Sequence, residues 1–217
     1  MRETYDCLQR SQHVLGELEK APIKGTQVRD ARDVLEKTTT DLGKALAAHV
    51  QQREAVRECA ARVRDATTAA CEACTRGRAR LVSEGVTLAP HATDERHTPA
   101  GVLARAAFLI ARGSATGVRL AAVEASRDKL AQARVADADA RSARRTASAL
   151  HEEAQLAWQN AYAALRAAVE AVLRAENVRG KSLKSRLAAY FPRTARRSRP
   201  ADSPAPTPAA DAGKPAP

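Results

Sequence analysis

The feature that most constrains this chain is a column of alanine at every seventh position of its second half. A second column of small residues runs three positions further along. Together they predict a coiled-coil a/d seam made almost entirely of methyl groups. Alanine has the best helix propensity but buries little area, so we expect long helices in line contact. The first column is Ala133, Ala140, Ala147, Ala154, Ala161, Ala168 and Ala175, and the second is Ala136, Ala143, Leu150, Ala157, Ala164 and Ala171.

The first half of the chain carries a matching heptad pattern between residues 26 and 84, a stretch without proline. Aromatic residues make up only 3% of the chain, so a compact core is difficult to build. The pattern therefore predicts an all-α protein, a long antiparallel helical hairpin of coiled-coil type. The column in the first long helix is Val28, Leu35, Leu42, His49, Val56, Val63 and Ala70.

Glycine and proline divide the rest of the chain. Residues 1–25 are predicted to form a short helix that makes a three-helix base, and residues 85–98 a connecting loop. A second long helix should span residues 99–178, with Gly113 and Gly117 allowing a kink or a close crossing near 113–117. If the turn centre lies near residue 91–92, position i faces position 183 − i. Trp158 would then lie near Gly25, and the far end would be a thin two-helix arm.

The C-terminal part carries most of the net charge, +7 of the +11 of the whole chain. Residues 179–192 are predicted to form a short basic amphipathic helix, and residues 193–217 a disordered tail that is basic and then rich in proline and alanine. These cations could bind nucleic acid or another polyanion, or an anionic surface, or they could simply solubilise the protein. The candidate residues are Arg179, Lys181, Lys184, Arg186, Arg193, Arg196, Arg197 and Arg199.

Cysteine and histidine form one pattern with zinc-ligand character, in which Cys71 and Cys74 are followed by His91 and His97. The spacing lies just outside that of a Cys2His2 site. Three arginines crowd the same stretch, so the sequence favours cysteines that fill alanine-sized positions in the seam. A redox-sensitive thiol pair is the remaining alternative. Without a signal peptide, the four cysteines are expected to be reduced.

Catalytic motifs are missing from the sequence. We find no glycine-rich phosphate loop, no metalloprotease helix and no nucleophile elbow. His49 falls in the apolar column, where a polar residue usually sets the register of the helices. We therefore expect a protein without catalytic activity, cofactor or small-molecule substrate.

The functional prediction is a non-enzymatic scaffold or protein-interaction coiled coil, acting through its helix faces on a partner or on a second copy. No secretory segment or apolar run long enough to cross a membrane is present, so we expect a soluble, cytoplasmic protein. In composition, the helical body followed by an Ala/Pro-rich tail resembles the phasins, which coat storage granules. That resemblance implies, as an alternative, coating of a granule or membrane surface. The apolar positions Leu183, Leu187 and Phe191 of the basic segment are the residues that could contact such a surface.

Overall fold

The computed structural model describes residues 2–88 and 97–192, and within these ranges the chain is folded into five α-helices with no strand. The two longest, α2 and α4, pack against each other, which confirms the predicted all-α helical hairpin. The predicted tail, 193–217, lies outside the described residues. The helices are α1 (Arg2–Lys20), α2 (Thr26–Ser83), α3 (Pro99–Thr116), α4 (Ala121–Ala175) and α5 (Gly180–Tyr190).

The predicted second long helix is two helices, and its interruption turns the chain. Thr98 caps α3 by accepting a hydrogen bond from the Gly101 amide at 3.2 Å, with Pro99 in the first turn. The helix ends at Gly117, which has a left-handed φ of 75°. Only glycine adopts this conformation without a steric penalty from Cβ. The chain therefore reverses between α3 and α4, where the sequence predicted only a kink or a close crossing.

The pairing of α2 with α4 follows from that turn. His49 stacks on His151 with ring centroids 5.5 Å apart, and Gly77 lies against Val123. Position i therefore faces about position 200 − i, and the predicted 183 − i was wrong. The chain reverses after α3, at Gly117, and not in the loop that precedes α3. The pairing of α4 with α2 is therefore shifted along α2 relative to the prediction. Accordingly, Gly25 lies beside Val172.

The two ends of the hairpin have separate cores. At the base, α1 and α5 join α2 and α4, so this end contains four helices where three were predicted. At the tip, α3 packs between the other two helices, so the predicted thin two-helix arm is three helices thick at its end. The base core contains Val14, Leu18, Leu35, Leu42, Trp158, Leu165, Val169, Leu183, Leu187 and Phe191. The tip core contains Ala73, Cys74, Leu81, Ala106, Leu109, Leu120 and Val123.

Between the two cores lies a segment only two helices thick, which we call the waist: residues 50–69 of α2 and 131–146 of α4. No residue in either stretch is fully buried. At 1.5 Å per residue the waist is roughly 30 Å long. The two cores are therefore held apart by a pair of helices in partial contact.

The alanine columns face different environments. Ala147 and Ala161 of the first column are buried, but every member of the second column is exposed. The second interior column instead lies four residues beyond the first and contains His151, Trp158 and Leu165. The predicted all-alanine seam was therefore wrong in one of its two columns. Larger side chains remove more apolar area from water than a methyl group, so they occupy the interface.

Candidate functional site

A cluster of one thiol, one imidazole and one guanidinium group lies where α2 passes the start of α3. The Cys71 sulfur is 3.4 Å from Nδ1 of His97, and Nη1 of Arg105 donates to the same sulfur at 3.8 Å. Cys71 is half-buried and His97 exposed, whereas Arg105 is only 8% exposed. A thiol, an imidazole and a guanidinium therefore meet at a site open to solvent.

The four candidate metal ligands do not assemble in the described ranges. Cys71 and His97 are in contact, but Cys74 is 1% exposed and packed in the tip core. His91 lies outside the described residues. In the part of the chain that the structure describes, no three His, Cys, Asp or Glu side chains are placed to hold a metal ion.

All four cysteines are free thiols, as the sequence predicted. Of Cys59, Cys71 and Cys74, which the sequence suggested were packing residues, only Cys74 is buried, in the tip core; Cys7 is buried in the base core. Burial raises the pKa of the Cys7 thiol. Cys59 lies in the waist and is half-buried. Only Cys71 therefore combines solvent access with polar neighbours.

A polar layer crosses the base next to the waist, and the sequence predicted only one of its members. His49 stacks on His151, and the Thr4 hydroxyl lies 3.1 Å from Nε2 of His151. Burial, and then the charge of His49, lower the pKa of His151. His49 falls in the predicted heptad column but His151 does not, and the predicted register placed His49 opposite residue 134, so the sequence did not reveal the pair.

A second polar contact ties α1 to α4. The indole Nε1 of Trp158 donates to the Ser11 hydroxyl at 2.6 Å, and that hydroxyl donates to the Cys7 carbonyl at 3.2 Å. Ser11 and Thr4 are 0% and 1% exposed. In α1 these two polar residues, rather than leucines alone, form the contact face.

The charged residues and the apolar residues of the predicted basic helix lie on opposite faces of α5. The candidate cations of this helix and its start, Arg179, Lys181, Lys184 and Arg186, are all exposed. Its apolar residues Leu183, Leu187 and Phe191 are buried in the base core. The helix therefore presents its charges outward. The remaining candidates, Arg193, Arg196, Arg197 and Arg199, lie outside the described residues.

The outer face of α4 exposes apolar groups along the waist and base. Val135, Leu150 and Leu156 are 62%, 56% and 58% exposed. Leu150 belongs to the exposed second alanine column, and we call the surface formed by this column the outer alanine face. The column itself is Ala136, Ala143, Leu150, Ala157, Ala164 and Ala171.

None of the described helices is both long and apolar enough to cross a membrane. Comparison of the chain with protein-family models, with curated proteins and with solved structures gave no match.

Proposed function

We propose that this protein is a non-enzymatic structural protein, an elongated helical spacer that self-associates through the outer alanine face of α4. The observation that carries the proposal is the exposure of Leu150, at 56%, within a column of exposed alanines. An exposed apolar surface on a helix gains free energy when another helix covers it.

The outer alanine face is self-complementary in an antiparallel pair of α4 helices. With a two-fold axis at Leu150, Ala143 faces Ala157, and Ala136 faces Ala164. Alanine on both sides allows two helices to approach to about 8 Å. Such a two-fold contact uses the same surface on both copies and closes after two subunits.

The charges near the axis favour the same direction of pairing. Arg144 and Arg145 precede the axis, and Glu152 and Glu153 follow it, all exposed. An antiparallel pair places the basic part of one copy beside the acidic part of the other. A parallel pair would bring like charges together, which is unfavourable.

The spacer part of the proposal rests on the distance between the two cores. Leu35 in the base and Leu81 in the tip lie on the same helix. Their separation is roughly 70 Å at 1.5 Å per residue. An antiparallel dimer around the waist and base would point the two tips in opposite directions and extend this distance. We place this assembly in the cytoplasm, as the sequence predicts.

Sedimentation velocity over a range of protein concentrations tests the proposal. The unmodified chain should form a dimer, and Leu150→Glu and Ala157→Glu should each shift it to monomer, because both put a carboxylate into the contact. Val34→Glu is the matched control, since Val34 is exposed to a similar extent, 52%, on α2. A monomer at all concentrations, or equal effects of the three substitutions, would overturn the proposal.

The exposed cations of α5 support a second candidate function, nucleic-acid binding. Lys181, Lys184 and Arg186 face solvent while the apolar face of the same helix anchors it in the base. A cationic face fixed on a rigid core can neutralise phosphates. The phasin-like coating alternative is less favoured, because its apolar contact residues could reach a surface only if α5 left the base.

Fluorescence anisotropy with labelled single- and double-stranded nucleic acid tests this second function. Binding should weaken steeply with salt, and the triple substitution of Lys181, Lys184 and Arg186 by Gln should reduce the slope of log K against log salt by about 2–3. A variant with Gln at Arg62, Arg64 and Arg57, which are exposed on α2, is the control of equal charge. Binding that responds equally to both variants contradicts a site on α5.

A further inference from the structure

We propose that Cys71 is a reactive thiol, activated by His97 for exchange with anionic disulfides. The site is the cluster at the junction of α2 and α3, and it is independent of the self-association surface on α4. Its elements are the 3.4 Å contact between the Cys71 sulfur and His97 Nδ1 and the 3.8 Å contact from Arg105.

The geometry suits nucleophilic activation. A thiol is a weak nucleophile until a neighbouring base takes its proton, and an imidazole nitrogen within hydrogen-bonding distance is the usual base. His97 is held at this position because the next residue, Thr98, caps α3. Arg105, on the second turn of α3, is fixed by burial and donates to the same sulfur. Both partners are therefore placed by the start of one helix.

The other cysteines show what is particular to Cys71. Cys7 and Cys74 are 7% and 1% exposed, so a disulfide in solution does not reach them without unfolding. Cys59 is half-buried like Cys71, but none of the described side chains makes a hydrogen bond to its sulfur. Cys59 is thus an internal control for exposure without activation.

The exchange step is balanced without another reactant. Nδ1 of His97 accepts the thiol proton as the Cys71 sulfur attacks one sulfur of the disulfide. A new S–S bond forms to Cys71, the original S–S bond breaks, and the leaving sulfur takes the electron pair and then the proton from His97. Cys71 is oxidised to a mixed disulfide, and one half of the reagent is reduced to a thiol. The Arg105 guanidinium lies beside the Cys71 sulfur, where it stabilises the negative charge of the attacking thiolate.

Surrounding charges select the class of disulfide. Arg105 lies at the sulfur itself, and the half-buried Arg78 lies two turns further along α2 on the same side of the helix as Cys71. Cations at this density attract reagents that carry carboxylates. A low-molecular-weight disulfide with several carboxylates, such as glutathione disulfide, fits this environment better than a neutral or cationic one.

The test treats the full chain with glutathione disulfide, stops the reaction by alkylation, and measures modification of each cysteine by peptide mass spectrometry. Cys71 should react at least ~10-fold faster than Cys59, and His97→Gln should lower the Cys71 rate by ~10-fold or more. His13→Gln, which changes another exposed histidine, should leave it unchanged. Cystamine, a cationic disulfide, should react more slowly than glutathione disulfide.

Chemical rescue separates a base from a structural role. In His97→Gly, free imidazole in the buffer should restore the Cys71 rate in proportion to its concentration, with circular dichroism verifying that the variant is folded. Equal rates at Cys59 and Cys71, an unchanged rate in His97→Gln, or no response to imidazole would each overturn the proposal.

Discussion

His49 and His151 stack on each other across the α2–α4 interface, with their ring planes inclined by 26°. Thr4 of α1 reaches the same layer through His151. His49 Nδ1 is buried, and among the described residues it has no hydrogen-bond partner. The His151 imidazole is accommodated at the edge of the base while neutral, because burial makes its charged form poorly solvated there.

The first prediction concerns pH. Because the pKa of His151 in the folded chain lies below its ordinary 6.5, the unfolded chain binds the proton more readily. Folding stability should therefore fall as the pH drops from about 6.5 through the folded pKa. Urea denaturation at pH values of about 7.5 and 5.5 measures this loss. His151→Gln should reduce it, since glutamine does not titrate, whereas His13→Gln should retain it; identical pH dependence in all three proteins would contradict the prediction.

The second prediction concerns the hydrogen bond from Trp158 to Ser11. Ser11→Ala leaves the buried indole N–H without its acceptor, and we expect a loss of about 1–3 kcal/mol in unfolding free energy. Trp158 is the chain's single tryptophan, so its fluorescence reports the environment directly during denaturation. Ser182→Ala, at an exposed position of α5, should change the free energy by no more than ~0.5 kcal/mol.

The third prediction concerns Gly77, which packs against Val123 at the tip. A Cβ added there would lie 2.7 Å from Cγ2 of Val123, so Gly77→Ala should destabilise the protein by about 1–3 kcal/mol. Gly43 is helical with no neighbouring atom within 4 Å of an added Cβ, and Gly43→Ala should stabilise by ~0.5–1 kcal/mol. Thermal denaturation of both variants provides the comparison.

A second substitution tests the cause assigned to the Gly77 effect. Val123→Ala removes the clashing methyl groups, so it should recover part of the loss when combined with Gly77→Ala. Strictly additive effects of the two substitutions would show that the Cβ does not meet Val123.

The fourth prediction concerns the register of the waist. Residues 54–60 of α2 face residues 140–146 of α4 in the observed pairing, so deleting both heptads should preserve all contacts at the base and tip. The molecule should shorten by roughly 10 Å. Small-angle X-ray scattering measures the maximum dimension. Deleting only 54–60 should instead misalign one core and lower the melting temperature well below that of the double deletion.

The face of α2 that packs on α4 was predictable from sequence. Leu35, Leu42 and Ala70 lie in the predicted column and are all fully buried. The beginning of α3 was also predictable, because a threonine before a proline satisfies the amides of the first turn. These features depend on residues within a few turns of one another, and local geometry decides them.

The alignment of the two long helices and the exposed face of α4 were decided by tertiary structure. Leu150 and His151 are neighbours in sequence, yet the leucine is exposed and the histidine buried. Heptad spacing cannot choose between two adjacent columns when one of them is alanine, because a methyl group adds little free energy in either place. The base core, where Trp158 and Leu165 contact α1 and α2, selects the column, and the turn at Gly117 sets the register. The same choice leaves the alanines of the second column facing solvent.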